Sequence, residues 1–199
     1  EFFQAFFGGG RRPGSRRART PRGAKRPGRD VEEEIELSLE EAVRGATKRL
    51  QIKQEGHTRI VEVRIPVGVG EGSRVRVAGE GEQNTGGAAG DLYLRIRMRP
   101  DPRFERRGRD LYTEVSIPVT TAVLGGEAEV PTVADRPLRL RIPAMTQNGQ
   151  TFRLKGHGIP AAGKPADRGD LYARVTVAMP LRLSPEQKRL YEELARLDG

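Results

Sequence analysis

Residues 65–98 read IPVGVGEGSRVRVAGEGEQNTGGAAGDLYLRIRM, and residues 142–179 read IPAMTQNGQTFRLKGHGIPAAGKPADRGDLYARVTVAM. Both stretches contain an Ile-Pro pair, a Gly-x-Gly turn and a Gly-Asp-Leu-Tyr sequence in the same order, at offsets of 77, 77 and 79 residues. Upstream, GRDV at 28–31 matches GRDL at 108–111, and AVRG at 42–45 matches AVLG at 122–125, both at an offset of 80 residues. The chain therefore contains two tandem copies of a module of roughly 75 residues.

Apolar and polar residues alternate along most of both copies. In the first copy, Ile35, Leu37 and Leu39 alternate with glutamate and serine residues, which is the pattern of a strand with one buried face. We therefore predict a mainly β fold, in which two tandem homologous small antiparallel β-sandwich domains precede a C-terminal helix. We place a linker at residues 1–29, the β-domains at 30–107 and 108–183, and the helix at 184–199. The short Pro100-Asp101-Pro102 connection predicts a fixed relative orientation of the domains.

The last segment changes to a helical period. Ser184, Pro185 and Gln187 form a capping-box start, with proline at the first helical position. The apolar stripe that follows consists of Leu190, Tyr191, Leu194 and Leu197. A helix of about 13 residues is marginal alone and must pack on something. It either folds back onto the second module or pairs with a second copy of the chain, and we favour the pairing, which makes it a dimerisation helix.

The positive charge is concentrated before the repeats. The chain has a formal net charge of +9, and residues 8–29 contain nine basic residues and no acidic one. A segment rich in Gly, Pro and Arg buries too little apolar surface to order itself, so we predict a disordered linker. The alternative is a nucleic-acid-binding arm. The preceding FFQAFF at 2–7 is either a short amphipathic turn that docks elsewhere or a frayed end.

The residues that usually carry chemistry are sparse. The chain has no cysteine, which excludes disulfides, thiol catalysis and cysteine-based metal sites. His57 and His157 fall in different copies and make a weak case for a metal site. Asp91 and Asp170 recur in the Gly-Asp-Leu-Tyr sequences, where we interpret them as turn caps acting through their own backbone. The glycine-rich loops match neither a P-loop nor a dinucleotide fingerprint. We predict a binding protein without catalytic residues, metal or cofactor.

The chain also lacks membrane signals. No run approaches the roughly 18 apolar residues of a membrane span, and no signal peptide is visible at the start of the sequence. We therefore predict a cytoplasmic protein without a membrane partner.

Several features occur together in this chain: the repeated Ile-Pro turn, Gly-rich turn and Gly-Asp-Leu-Tyr, LSLEEAVRG at 37–45, and the Phe- and Gly-rich lead-in. Together they resemble the C-terminal β-domains of DnaJ-family (J-domain) co-chaperones. Class A members insert four CxxCxGxG zinc repeats near the position of residues 54–58, so this cysteine-free chain is similar to the class B, CbpA-like type. The His-Pro-Asp tripeptide of a J-domain is also absent. The resemblance therefore implies a C-terminal peptide-binding fragment that could not by itself stimulate a DnaK-type ATPase.

The resemblance implies a heat-shock, stress-response chaperone that binds unfolded client polypeptides, works with a DnaK-type chaperone and forms a homodimer. The implied client groove lies in the first module, at Leu37 and Leu39 of the first strand, Leu50 and Ile52 of the next, and Phe104. The alternative for the aliphatic residues is ordinary core. Phe104 is flanked by charged residues, which predicts a position outside the central core.

The resemblance also implies a basic contact for the acidic tail of a partner chaperone, at Lys48, Arg49 and Lys53. The alternative for these three residues is simple surface solvation. The alternative function for the whole chain is non-specific DNA binding through the Arg-rich linker, because the CbpA-like type and the basic segment both allow it.

Overall fold

The computed structural model describes residues 28–54, 57–82, 87–134 and 136–197. The FFQAFF segment and nearly all of the Arg-rich segment lie outside the described residues. In the first module, three strands form one sheet and two form a hairpin. The sheet has the order β1 (Val31–Leu37), β5 (Leu92–Met98), β4 (Arg74–Val77), and the hairpin pairs β2 (Ala46–Gln54) with β3 (His57–Ile65).

The second module repeats this plan with one more strand in its main sheet and a second hairpin. The sheet has the order β10 (Thr151–Leu154), β13 (Leu171–Ala178), β7 (Asp110–Pro118), β6 (Glu105–Arg107). The hairpins pair β8 (Gly126–Val130) with β9 (Leu138–Ile142), and β11 (Pro160–Ala161) with β12 (Lys164–Arg168). Three helices complete the described structure, namely α1 (Leu39–Arg44), α2 (Val119–Leu124) and α3 (Pro185–Leu197).

The predicted class is confirmed: the chain is mainly β, with two homologous modules and a C-terminal helix. Most strand pairs are antiparallel, but one pair in each main sheet is parallel, β1 with β5 and β7 with β13. Alternation of apolar residues reports which face of a strand is buried and not which direction its neighbour runs. The sequence pattern therefore could not reveal the parallel pairs.

The core of each module lies between its main sheet and its first hairpin. In the first module, Ile35 and Leu37 of β1 pack with Ile52 of β2 and with the inward side chains of β3 and β5. In the second module, Leu111, Val115 and the inward residues of β13 form the corresponding cluster. Each module is thus a small two-layer β structure, and long strands such as β5 and β7 bury alternate residues.

The first strand ends two residues earlier than the alternation predicts. Leu39 was predicted on that strand, but β1 ends at Leu37 and Leu39 is the first residue of α1. Ser38 Oγ accepts a hydrogen bond from the Glu41 amide at 3.2 Å, and the Glu41 carboxylate accepts one from the Ser38 amide at 2.8 Å. This capping box satisfies two amides that a helix start leaves free. The local hydrogen bonds therefore override the period-two pattern.

The two modules contact each other directly. Leu39 and Val43 of α1 are buried in the cluster of the second module. Arg44 Nη2 donates a hydrogen bond to the carbonyl of Ala134, and the Gly163 amide donates one to the carbonyl of Val67 at 3.0 Å. Side chains and backbone therefore join the modules, in addition to the short connection at 100–102.

The boundary between the modules falls before β6. Residues 104–107 were assigned to the first domain, but β6 pairs with β7 and Phe104 lies in the second module's cluster. The structure therefore places the start of the second module close to residue 101. None of the described helices is long and apolar enough to cross a membrane.

Candidate functional site

The repeated aspartates hold the glycine turns to the main sheets. Asp170 Oδ1 accepts a hydrogen bond from the Gly156 amide at 2.8 Å, and its Oδ2 accepts one from Arg153 Nε at 2.6 Å. In the first module, Asp91 accepts from the Gly79 amide at 2.9 Å and from Arg76 Nε at 2.7 Å. The interpretation as caps acting through their own backbone is therefore wrong in its detail. These carboxylates bridge to a distant turn, which makes them scaffold in both copies.

This aspartate contact predicts acid sensitivity. The amide hydrogen bond from Gly156 lowers the pKa of Asp170 below its ordinary value of 3.8; burial opposes this shift, and Arg153 reinforces it. A carboxyl whose folded-state pKa is lowered contributes stability that is present above the unfolded-state pKa and is lost as the pH falls through the folded-state pKa. We therefore expect Asp170→Asn to melt at a lower temperature than the parent at neutral pH. We also expect it to lose less further stability between about pH 4 and pH 2.

The measurement is the melting temperature by circular dichroism from neutral pH to pH 2. Asp167→Asn is the control, because Asp167 is an exposed carboxylate paired with Arg109 at 2.9 Å. Parallel acid curves for Asp170→Asn and the parent would contradict the assignment.

The five predicted client-groove positions do not line one open groove. Leu37 and Ile52 are buried in the first module's cluster at 0% and 3% exposure, and Leu50 packs half-buried against them. Leu39 and Phe104 are buried at 4% and 6% in the second module's cluster. The structure brings the first three together and separates them from the other two. Of the five, Leu50 is the side chain that a ligand could reach without displacing core.

Phe104 is the clearest correction. Its charged neighbours predicted a position outside the core, yet the ring is buried while Arg103 and Glu105 on either side are exposed. Arg103 places its guanidinium 5.3 Å from the ring centroid, over the outer face. Arg103 lies in the turn before Phe104, and Glu105 begins β6, so both can face solvent beside the buried ring. A polar sequence neighbourhood is therefore compatible with a buried aromatic residue, and the prediction from neighbours was wrong.

Four strands of the first module have an open edge in the described part of the chain, and β1 and β2 are two of them. β1 pairs there with β5 alone, and β2 pairs with β3 alone. The free edge of a strand presents amide and carbonyl groups that can accept an added strand. On β2, Lys48, Leu50 and Ile52 share the inward face. An extended ligand on this edge would meet a backbone ladder beside the half-buried Leu50.

Two of the three predicted basic contact residues already have acidic partners. Lys48 Nζ pairs with the carboxylate of Glu41 in α1, and Arg49 Nε lies 3.3 Å from the carboxylate of Glu62 on β3. The side chain of Lys53 lies outside the described residues. An acidic peptide at this place would have to displace existing ion pairs, of which the Arg49 pair is the more exposed.

A second candidate surface lies at the far end of the second module, and we name it the distal apolar surface. Helix α3 begins with the predicted capping box, since the Gln187 amide donates to Ser184 Oγ at 3.1 Å and the Ser184 amide donates to Gln187 Oε1 at 2.9 Å. None of its residues is buried. The surface consists of exposed apolar residues of α2, α3 and the segment between β13 and α3: Val123, Leu124, Met179, Leu181, Leu183, Leu190, Leu194 and Leu197.

Helix α3 also rests on its own module. It shares with α2 a cavity of about 340 Å³, whose walls include Val119, Val123, Leu190, Tyr191 and Leu194. Contact with the second module and an exposed apolar stripe are therefore both present, and Tyr191 is the half-buried member of the predicted stripe. The choice between folding back and pairing with a second copy stays open, because Leu190 and Leu194 line this cavity and are also exposed.

The contribution of α2 to this surface was not predicted from the sequence. Leu124 is 77% exposed, and it occupies the position of Arg44 in the first copy. Arg44 pairs with Glu40 at 3.1 Å and also donates a hydrogen bond to the carbonyl of Ala134 in the second module. An exposed leucine in place of an arginine is a difference between the copies, so the repeat alignment contained the signal.

The chain is similar in sequence to known proteins. The model of the DnaJ C terminal domain family matches residues 31–180. The chain is 50% identical over 143 residues to the chaperone protein DnaJ of Methanothermobacter thermautotrophicus, covering 71% of this chain and 38% of that protein. It is 42% identical over 195 residues to the chaperone protein DnaJ 2 of Thermus thermophilus, covering 98% of this chain and 64% of that protein.

A third relative has a different name. The chain is 39% identical over 206 residues to the curved DNA-binding protein of Pseudomonas syringae pv. tomato, covering 98% of this chain and 63% of that protein. The chain thus spans between 38% and 64% of the length of these three relatives. The matched residues include both modules, their repeated aspartate contacts and the β1 and β2 edges, and on this basis the chain belongs to the DnaJ C-terminal domain family.

Proposed function

We propose that this chain is the client-binding and self-associating part of a DnaJ-type co-chaperone. It binds non-native polypeptide segments at the first module and pairs with a second copy through α3. The observation that carries the first half is the open edge of β2 with Leu50 half-buried at its inner face. The names of the two DnaJ relatives support a chaperone role.

The proposed binding mode explains a loose preference for apolar sequences. A client segment that adds to β2 as a strand makes backbone hydrogen bonds, which do not depend on its sequence. Its alternate side chains point toward Leu50 and the cluster that contains Leu37 and Ile52. A single contact of this kind is weak, and two such edges in a dimer raise the affinity for a long unfolded chain through avidity.

The first test is Leu50→Arg. We expect the dissociation constant for a permanently unfolded protein, such as a reduced and alkylated one, to rise about tenfold, because an apolar contact worth about 1.4 kcal/mol is replaced by a charge that must remain hydrated. Fluorescence anisotropy with a labelled client measures it. Ile60→Ser is the control, because Ile60 is 67% exposed on β3 and faces away from the cluster. Unchanged affinity in a folded Leu50→Arg variant would refute the site.

The second test concerns self-association. Leu190 and Leu194 are both exposed on α3, so Leu190→Ser/Leu194→Ser removes no core contact of the single chain. A two-fold symmetric interface contains each leucine twice, so we expect the dimer dissociation constant to rise at least about a hundredfold. Sedimentation equilibrium measures it, with the polar-face variant Glu192→Ser as control. A double variant that keeps the parent's mass at all concentrations would exclude α3 as the interface.

The proposal includes a DnaK-type partner chaperone, because the resemblance to the DnaJ family implies one. A DnaK-type protein would use an acidic tail at Lys48 and Arg49, in competition with Glu41 and Glu62. This contact would be electrostatic and largely exposed, so we expect it to weaken as salt is added.

DNA binding is the second candidate function. The relative named curved DNA-binding protein, which matches 98% of this chain, favours it, as does the basic segment 8–29. Phosphate binding weakens steeply with salt, because it releases counterions. DNA binding should therefore disappear at high salt or when residues 8–29 are deleted, whereas strand addition at β2 should survive both.

A further inference from the structure

Arg59 lies on the inward face of β3, where its neighbours on the same face are apolar. The next three inward residues of the strand are buried, and they are Val61, Val63 and Ile65. In the hairpin, Arg59 lies opposite Ile52 of β2. Its Nε is buried and has no hydrogen-bond acceptor among the described residues, which costs free energy. Because such local costs are expected at functional sites, the arginine calls for a role beyond core packing.

The Arg59 guanidinium joins the β2–β3 hairpin to the glycine turn beside the main sheet. Its Nη1 lies 3.1 Å from the Glu80 carboxylate, and its Nη2 donates to the carbonyl of Gly81 at 3.1 Å. Nη2 also donates to the carbonyl of Glu80. The same glycine turn is bonded to the residue that precedes β5, since the Gly79 amide donates to Asp91 at 2.9 Å. Arg59 therefore connects the hairpin to the main sheet through several bonds, which together set its orientation.

Among the described residues, the second module shows no equivalent of this contact. The residues 77 positions later are Arg136, which is exposed, and His157, which has no carboxylate to offer. The hairpin there is also shorter, because β8 and β9 have five residues each, whereas β2 and β3 have nine each. A two-stranded hairpin is marginally stable without packing, so a longer one needs a contact near its turn. The arginine contact is therefore specific to the module that carries the proposed client edge.

We propose that Arg59 is a positioning residue for client binding at β2. The inference rests on the proposed client edge, because Leu50 lies on β2 two residues before Ile52, the residue opposite Arg59. With the guanidinium bonded to the turn at 79–81, the hairpin keeps its place over the main sheet and β2 presents its edge in one orientation. Without these bonds, only a fraction of the molecules presents a competent edge at a given time, and the apparent affinity falls by that fraction.

The experiment measures how a labelled, reduced and alkylated protein associates with the full chain and dissociates from it, by stopped-flow fluorescence. Arg59→Met keeps a long apolar stem and removes the guanidinium. We expect the association rate constant to fall about fivefold. The dissociation rate constant should stay the same, because the edge is already in place in the bound state. Hydrogen exchange of the β2 amides in the free chain should become faster.

Three further variants make the comparison specific. Arg59→Lys keeps a charge that can reach Glu80, so it should recover part of the association rate. Glu80→Gln weakens the same contact from the other side and should slow association in the same direction, which tests the contact even if Arg59→Met does not fold. Arg136→Met is the matched control, because Arg136 is the equivalent arginine of the second module and is exposed. It should change neither rate constant.

Comparison with Leu50→Arg separates this inference from the proposed function. If Leu50→Arg weakens binding while Arg59→Met and Glu80→Gln leave both rate constants unchanged, Arg59 does not position the edge, and the inference is overturned while the client edge stands. If Arg59→Met instead raises the dissociation rate constant and leaves association unchanged, the side chain contacts the client, which also overturns the inference. If Leu50→Arg leaves the affinity unchanged, the proposed client edge itself fails, and the inference fails with it.

Discussion

Replacing Phe104 with alanine is expected to lower the free energy of unfolding by about 4 kcal/mol, which is within the range for removing a buried aromatic ring. The ring is 6% exposed and packs in the cluster that joins α1 to the second module. Removal leaves a cavity in the cluster that also contains Leu39 and Val43, because the close-packed side chains around it close the space only in part. The loss therefore affects both the second module's core and its contact with the first.

Urea unfolding followed by circular dichroism measures this loss. Phe104→Leu is the matched control, since it keeps an apolar side chain and should cost about 1 kcal/mol. The pair also separates structure from binding. Client affinity should be unchanged in the folded Phe104→Leu variant if Phe104 acts as core. Normal stability of Phe104→Ala with reduced client affinity would instead restore the surface role that the sequence analysis predicted.

The repeat made the two modules predictable because turns depend on local chemistry. Gly-x-Gly and Gly-Asp-Leu-Tyr recur since each module needs the same link between a turn and its main sheet, now visible as Asp91 to Gly79 and Asp170 to Gly156. The capping box of α3 was likewise readable from Ser184 and Gln187, because its hydrogen bonds span three residues. Features that depend on neighbours in sequence were the ones that could be predicted.

Features that depend on distant neighbours could not be predicted. Leu39 and Phe104 were assigned to a groove in the first module, but both side chains are buried in the second module's cluster. Nothing in their local sequence reports which module supplies the rest of a cluster. The choice between surface and core at Leu50 and Ile52 depends in the same way on how far β2 tilts over the sheet, and alternation alone leaves it open.

The differences between the copies are more informative about function than their similarities. Arg44 and Leu124 occupy equivalent positions, as do Gly68 and Met145. In each pair, the second module carries an exposed apolar residue where the first carries a residue that contacts the other module. The region around residues 44 and 68 of the first copy thus contacts the other module. The equivalent region of the second copy, around residues 124 and 145, borders the distal apolar surface.

Gly68→Ala is expected to lower the free energy of unfolding by about 3 kcal/mol, from a left-handed backbone penalty and a steric clash that add together. Gly68 has φ of 80°, and a Cβ there would lie 2.4 Å from the carbonyl oxygen of Pro160 in the β11–β12 hairpin. Because that oxygen belongs to backbone, the hairpin must move away. Its hydrogen bond from the Gly163 amide to the carbonyl of Val67, 3.0 Å long, would be lost with it.

Gly72→Ala is the matched control, because it carries the left-handed backbone penalty without the steric clash. Gly72 has φ of 71° and open space where its Cβ would stand, so it should lose only about 1 kcal/mol, the backbone penalty alone. Thermal unfolding gives the two stabilities, and hydrogen exchange of the Gly163 amide reports the contact itself. Faster exchange in Gly68→Ala but not in Gly72→Ala is expected. Equal stabilities and equal exchange in the two variants would mean that the hairpin does not hold the modules together. The orientation would then depend on α1 and on Phe104, which the Phe104→Ala variant tests independently.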